Sequence, residues 1–339
     1  MRKLQNNLYI TKQGAYVHKE RETIIIDVER SKVFQVPIHS ISGLFCFGNI
    51  LVSPFLMAFC SENNVNLSFF TEFGRFIGRL QGKKSGNVLL RRAQYHADDN
   101  KKIKIAQAII AAKINSSRAV LQRYQRNHGQ HDLISDAIKK LNYSLMQTKK
   151  TNSLDYLRGI EGDAAANYFS VFQLLIKPEL QTDFIFTVRN RRPPRDPINA
   201  LMSFVYSVIG QDISGALAGI GLDPQIGFLH ADRPGRDSLA QDILEEFRAW
   251  FCDRLVLSLV NRKQIKYDDF IKEPGGAVLL KEDARKSLLT AIQSRKQEII
   301  RHPFLNEDIE VGLLPHVQAL LLARYLRGDM EYYPPFFTR

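Results

Sequence analysis

Cysteine, tryptophan and long apolar runs are what this chain has least of. Its three cysteines, Cys46, Cys60 and Cys252, are odd in number, show no CxxC spacing and stand in apolar surroundings such as Leu44-Phe45-Cys46-Phe47. That pattern argues against a disulfide framework or a zinc site and fits core thiols in a reducing cytoplasm, the expected location. No stretch of about eighteen apolar residues occurs, and the start, Met1-Arg2-Lys3-Leu4-Gln5-Asn6-Asn7, leads into no apolar signal core, so neither secretion nor membrane spanning is expected. The single tryptophan, Trp250, together with the basic charge, argues against a sugar-binding cleft. No repeat period is present. Irregular interior sequence is confined to the basic proline run Arg191-Arg192-Pro193-Pro194-Arg195-Asp196-Pro197 and the segment around Pro274-Gly275-Gly276.

Apolar residues make up 45% of the 339, enough to bury a core, and charged residues make up 24%, as in folded rather than disordered chains. The length exceeds that at which single cores stop growing, so two domains of unequal size are expected. A net charge of +12 attracts polyanions, nucleic acid first and an anionic membrane surface second.

Residues 1–90 read as a β domain. Leu8-Tyr9-Ile10, Ala15-Tyr16-Val17, Thr23–Val28 and Lys32–Val36 are β-branched or aromatic and separated by polar turns. Pro54–Cys60 reads as a helix with proline in its first turn. Asn66–Phe70 and Phe76–Leu80 read as closing strands, with Gly74, Gly78, Gly82 and Gly86 at turns. After Asn87 apolar residues recur at three and four, as in Ile105, Ala108, Ile109 and Ala112, and helices are expected over Ser153–Tyr168, Asp196–Ile213, Ser238–Leu259, Ala284–Glu298 and Leu313–Leu326. The expected fold class is α+β multidomain, with a β domain over residues 1–90 and a larger all-α domain over 91–339.

Residues 91–150 hold thirteen Lys and Arg against four Asp. Such a stretch is either a phosphate-tracking face or a solvated basic surface without a partner. Arg191, Arg192 and Arg195, held together by prolines and preceded by Arg189, offer planar forks for phosphate and strengthen the nucleic-acid reading. In Gly159-Ile160-Glu161-Gly162-Asp163-Ala164 two carboxylates sit among small residues where a helix is expected. Each glycine costs a helix roughly 1 kcal/mol relative to alanine, which suggests close helix packing or the approach of a ligand. Taken alone, Glu161 fits a helix-capping or salt-bridged carboxylate better than a ligand.

Residues 227–248 are the richest in chemistry. His230 ends an apolar segment, Pro234-Gly235 reverses the chain, and Asp237 or Ser238 caps the next helix. On that helix Asp242 and Glu245 are three apart, hence on one face, so the imidazole and both carboxylates are able to converge after the turn. Mixed nitrogen and oxygen ligation suits Mn²⁺, while Mg²⁺ tolerates it less well but is the abundant candidate. Spacing alone leaves open a satisfied histidine beside a salt-bridged helix start. The other histidines, including His128, His131, His302 and His316, lack a comparable carboxylate pair nearby in sequence and read as structural or surface residues.

Three blocks together, Gly159-Ile160-Glu161-Gly162, Asp196-Pro197-Ile198-Asn199-Ala200-Leu201, and Leu229-His230 followed by 238–248, resemble the CRISPR-associated Cas-one integrase family in content and order. Gly74-Arg75-Phe76, Arg92-Ala93-Gln94-Tyr95 and Ala323–Gly328 look like the same family, so the resemblance spans essentially the whole chain. The ending Tyr332-Tyr333-Pro334-Pro335-Phe336 resembles the version found in type I systems, with I-C as the suggested subtype; the residues do not say whether this tail is mobile or docks on a partner. The resemblance implies an N-terminal β domain that carries most of a homodimer contact, a helical catalytic domain, and a site in which Glu161, His230 and Glu245 hold Mg²⁺ or Mn²⁺ while Asp242 supports catalysis. Many members carry Asp where Glu245 stands. It also implies a small Cas-two partner protein and DNA as substrate; Arg189, Arg191, Arg192, Arg195 and Arg236 are the expected DNA contacts, and no membrane partner is expected.

The implied reaction joins a spacer DNA 3′-hydroxyl to a CRISPR repeat by phosphoryl transfer, and water in place of that hydroxyl makes the same site an endonuclease. Two rivals stand beside the integrase: a stand-alone structure-selective nuclease and a non-catalytic DNA-binding scaffold. Only the scaffold binds DNA and does nothing further with metal.

Overall fold

The computed structural model describes residues 6–80 and 87–337, so the turns expected at Gly82 and Gly86 lie outside the described residues. In chain order the first elements are β1 (Asn6–Ile10), β2 (Tyr16–Glu20), β3 (Thr23–Val28), β4 (Ser31–Pro37), β5 (Ile41–Phe47), β6 (Leu51–Val52), α1 (Pro54–Glu62), β7 (Asn66–Phe70) and β8 (Phe76–Arg79). Helices α2 (Val88–Tyr95), α3 (Asp99–His128), α4 (Asp132–Thr148), α5 (Leu154–Phe169), α6 (Pro197–Ile220), α7 (Ser238–Glu245) and α8 (Arg254–Asn261) follow. The chain ends with β9 (Phe270–Lys272), β10 (Val278–Leu280), α9 (Glu282–Lys296), β11 (Ile299–Arg301), β12 (Asp308–Glu310) and α10 (Leu314–Arg327).

Two compact units form, one from Met1–Gly86 with Lys281–Glu298 and Glu310–Leu313, the other from Asn87–Leu280 with Ile299–Ile309 and Leu314–Arg339. The first holds a mixed sheet in the order β1-β5-β7-β8 and a second sheet in the order β4-β3-β2-β6. Val17, Ile24, Ile26, Leu44, Cys46, Leu56, Cys60 and Leu67 form its core. Strand β5 was not anticipated as a strand because its run is apolar throughout rather than alternating. The cause is burial on both faces: Leu44 and Cys46 point into that core, while Phe45 and Phe47 are also buried and stack on Phe70. Ser53 caps α1 by accepting from Leu56 N, as the serine-proline start requires. Gly78 sits within β8 opposite Phe69 rather than at a turn, whereas Gly74 turns at φ 85°. Burial pushes the Cys46 and Cys60 thiols up to about 12, in keeping with inert core cysteines. Helix α9 returns to this unit, burying Ala284, Leu288 and Ile292 and donating from Gln293 to Asn6. A contiguous division near residue 90 does not anticipate that return, since nothing local in the sequence records it.

The second unit is helical apart from the short hairpins β9-β10 and β11-β12, so "all-α" holds only for its main body. Its central helix is α6, capped by Asp196 accepting from Asn199 N at 2.8 Å and ended by Gly221 in a left-handed conformation at φ 101°. By length and composition α6 suffices to cross a membrane, but Leu201, Met202, Val205, Val208 and Leu217 are buried in the unit's core. The helix expected over Ser238–Leu259 is broken: α7 stops at Glu245, a wide π-turn spans Arg248–Asp253, and α8 resumes at Arg254. Such bulges recur at functional sites because they re-aim side chains. Arg248, where the wide turn starts, lies 3.1 Å from Glu245.

Candidate active site

The site lies wholly in the helical unit, and its first part is a loop held by one carboxylate. Asp242, fully buried on α7, accepts from Phe228 N at 2.6 Å and Leu229 N at 3.0 Å through Oδ2, and from His230 N at 3.0 Å through Oδ1. The same Oδ1 is 2.6 Å from His230 Nδ1. A carboxylate so placed accepts, so Nδ1 donates to it and Nε2 is the nitrogen that faces Glu245. Asp242 thus positions His230, with both of its oxygens occupied by these contacts. Arg158 holds the loop from the side by donating to Leu229 O at 2.8 Å. Gly227 is needed for close approach: a Cβ there would come within 2.9 Å of His230 O and 3.1 Å of Asp242 Oδ2.

The second part joins three helices through one lysine. Lys113 of α3, buried between Ala112 and Ile114, pairs with Glu161 of α5 and lies 2.8 Å from Glu245 Oε2 of α7. Glu245 Oε1 is 3.1 Å from Arg248 Nη2 and 3.8 Å from His230 Nε2. Burial alone would raise the Glu245 carboxyl, but Arg248, Lys113 and His230 outweigh it and hold the group well below the ordinary carboxylate range. Burial likewise works against a charge on Lys113, and Glu245 and Glu161 reverse the effect, keeping it an ammonium. Among the described residues no three His, Cys, Asp or Glu side chains are placed to hold a metal ion together. The point where the two carboxylates converge is filled by the Lys113 ammonium.

A cavity of about 440 Å³ opens beside this cluster, lined among others by Lys113, Glu161, Tyr206 and Asp253. Tyr206 donates to Asp253 at 2.5 Å, and burial outweighs that bond, pushing the carboxyl up to about 6. Arg189 and Arg248 both lie over the Tyr206 ring, at 5.2 and 4.9 Å. The Arg189 guanidinium bonds Asn199 Oδ1 and Ser203 Oγ, tying the 188–196 loop to α6. Arg191, Arg192 and Arg195 are exposed on that loop, with Arg236 half-buried on the neighbouring one. Burial first, then Arg192 and Arg248, lowers the Arg191 guanidinium; burial, then Arg191 and Arg233, lowers that of Arg236. These arginines therefore share one crowded electropositive field, and none of Arg191, Arg192, Arg195 or Arg236 forms an ion pair with a described carboxylate.

Glu161, His230, Asp242 and Glu245, expected from sequence, thus gather in one place, and Asp163 does not, bonding Ser144 and Asn167 instead. Sequence reasoning missed Lys113, Arg248 and Asp253. A signal for Lys113 existed: it lies on the apolar stripe of α3 with Ile105, Ile109 and Val120, where a solvated lysine has no place. For the pair of glycines flanking Glu161, added Cβ atoms at Gly159 and Gly162 would meet nothing within 4 Å. Helix packing does not explain them, and the backbone there stays open to an approaching ligand.

Residues 8–294 match the family model for CRISPR associated protein Cas1. The chain is 47% identical over its whole length, and that of its relative, to CRISPR-associated endonuclease Cas1 1 of Chlorobaculum tepidum. Among solved structures it shares the fold of a casposase bound to its integration product, with a TM-score of 0.83 at 23% identity, covering 98% of this chain and 95% of that one. It also matches a Cas6-RT-Cas1–Cas2 complex, with a TM-score of 0.83 at 20% identity, over 99% of this chain and 36% of that one. A match of this extent has one reading: the chain belongs to the Cas1 family of CRISPR-associated endonucleases.

Proposed function

We propose that this chain is a divalent-metal-dependent DNA endonuclease and integrase of CRISPR adaptation, with Glu161, His230 and Glu245 as ligands of Mg²⁺ or Mn²⁺. The observation that carries the reading is the convergence of two carboxylates on a single cationic point, with Nε2 of His230 beside one of them. That donor set, two hard oxygens and an imidazole, fits a hard or borderline divalent ion. When bound, such an ion supplies charge neutralisation to a phosphate and eases deprotonation of an attacking hydroxyl.

The chain's own residues do the rest. Asp242 fixes the imidazole so that Nε2 faces Glu245. Arg191, Arg192, Arg195 and Arg236 attract the DNA backbone, while Arg189 and Arg248 shape the cavity wall over Tyr206. Gly159 and Gly162 leave bare helix for close passage of a phosphate chain. A DNA 3′-hydroxyl as nucleophile gives strand joining; water gives nicking.

The casposase neighbour is bound to an integration product, and the second neighbour assembles with Cas2. We carry both features over as proposals: a small Cas2-type partner spaces two active sites, and residues 1–90 carry most of a homodimer contact, leaving 91–339 as the catalytic part. A DNA substrate of this kind places the protein in the cytoplasm.

A strand-transfer assay tests the reading. A duplex with free 3′-hydroxyls, a plasmid bearing a CRISPR repeat, divalent metal and the Cas2-type partner should give covalent joining, lost when both 3′-hydroxyls become hydrogen. Robust nicking with no joining favours the stand-alone nuclease, and DNA binding with neither favours the scaffold.

A further inference from the structure

We propose that Lys113 is an internal counter-ion of the metal site, holding Glu161 and Glu245 in place before the ion arrives and displaced from them when it binds. The inference rests on the reading of Glu161, His230 and Glu245 as ligands. Its basis is geometric. The ammonium sits where the two carboxylates converge, on a side chain only 10% exposed, and those carboxylates are its ion-pair partners. Two carboxylates facing each other without a cation would repel and splay, and burial makes that cost larger. Lys113 removes the repulsion and keeps both groups aimed at one point.

A divalent ion coordinated by the same oxygens competes for the same position. With Arg248 also at Glu245, leaving Lys113 in place would set the ion, an ammonium and a guanidinium against two carboxylates. Asp242 offers no relief, because its oxygens already accept from three backbone N–H groups and the imidazole. Arg248 is the less mobile of the two cations: it lies over the Tyr206 ring and also donates to Gln241 Oε1 at 3.2 Å. Lys113 lines the cavity of about 440 Å³, so its side chain has space to move into. Metal uptake is therefore an exchange of one cation for another, and the ammonium sets part of the metal affinity.

The test is Mn²⁺ titration of the full chain without DNA, read by electron paramagnetic resonance of the free ion. Lys113→Met should bind Mn²⁺ tighter than wild type by about tenfold or more, as expected for removing a close competing charge. Lys113→Arg, which keeps the charge, should not tighten it. Without metal, Lys113→Met should melt lower than wild type, and saturating Mn²⁺ should raise its midpoint by more than it raises the wild type's. Lys113→Gln, neutral but still a hydrogen-bond donor, carries the same expectation and serves if Lys113→Met does not fold. A merely structural lysine predicts equal or weaker Mn²⁺ binding in both neutral variants, and that result overturns the proposal. If wild type binds no Mn²⁺, or Glu161→Gln binds it unchanged, the ligand assignment itself falls, which separates the two failures.

Discussion

Glu245 and Glu246 are neighbours at the end of one helix, and they serve different faces of it. Glu245 faces the site, where Arg248, Lys113 and His230 overcome burial and keep it ionised. Glu246 faces the C-terminal tail: it accepts from Tyr333 Oη at 2.6 Å, Phe336 N at 2.7 Å and Gln318 Nε2 at 2.9 Å. No cation among the described residues pairs with it, and burial pushes it up to about 7 against the pull of those bonds. Charge is retained where cations surround the carboxylate, and hydrogen bonds to neutral donors suffice where its work is to fasten a strap. The tail left undecided by sequence therefore docks on its own chain, through Phe336 packed on Phe247 and Trp250 as well.

The comparison predicts that changes on the front face cost activity and changes on the back face cost stability. The largest effect belongs to Glu161→Ala, His230→Ala and Glu245→Gln. Each should lower metal-dependent DNA cleavage by more than the roughly 10–100-fold that removing an outer partner of a ligand costs, with the fold intact by circular dichroism. Asp242→Asn should fall within that 10–100-fold range, because it loosens His230 without removing a donor. Retention of full cleavage in all the ligand variants would break the front-face assignment.

On the back face, Glu246→Ala leaves the buried Tyr333 Oη and Phe336 N without their acceptor, while Gln318 Nε2 keeps Tyr333 Oη and Pro334 O, and should destabilise by about 2–4 kcal/mol in urea denaturation, with cleavage by the folded fraction nearly unchanged. Tyr333→Phe removes one of those bonds and should cost about 1 kcal/mol. Equal loss of cleavage per folded molecule in Glu246→Ala and Glu245→Gln would erase the distinction.

A pH-dependent effect concerns Asp253 on the cavity wall, whose folded pKa of about 6 stands above its ordinary 3.8. The fold favours the protonated acid, so this contribution is fully present below about pH 4 and is lost as pH rises through about 6. It amounts to no more than about 3 kcal/mol. Asp253→Asn should flatten that part of the stability profile, measured as urea midpoints at pH 4.5 and 7; an unaltered slope would count against the raised pKa.

What could be read in advance follows the locality of the signal. Thr23–Val28 shows its β-branched run openly, and Pro54 after Ser53 marks a helix start, so both elements were legible. Strand β5 hid because burial on both faces removed its alternation. The break after Glu245 hid because Arg248 and Phe247 continue a helical pattern, while the packing of Arg248 over the Tyr206 ring is a tertiary contact that no local pattern records. Glu161, His230, Asp242 and Glu245 emerged from family-like blocks rather than from spacing. Lys113 belongs to none of those blocks and meets Glu161 across 48 positions, a pairing that only the packing of α3 on α5 creates.

The most direct test of the metal site is anomalous diffraction from crystals grown with Mn²⁺. The account predicts one strong anomalous peak bounded by Glu161, Glu245 and Nε2 of His230, with Asp242 bonded to Nδ1 and outside the ligand shell. A Mn²⁺ peak elsewhere in the helical unit, or none while Lys113 still bridges the two glutamates at saturating metal, would contradict it.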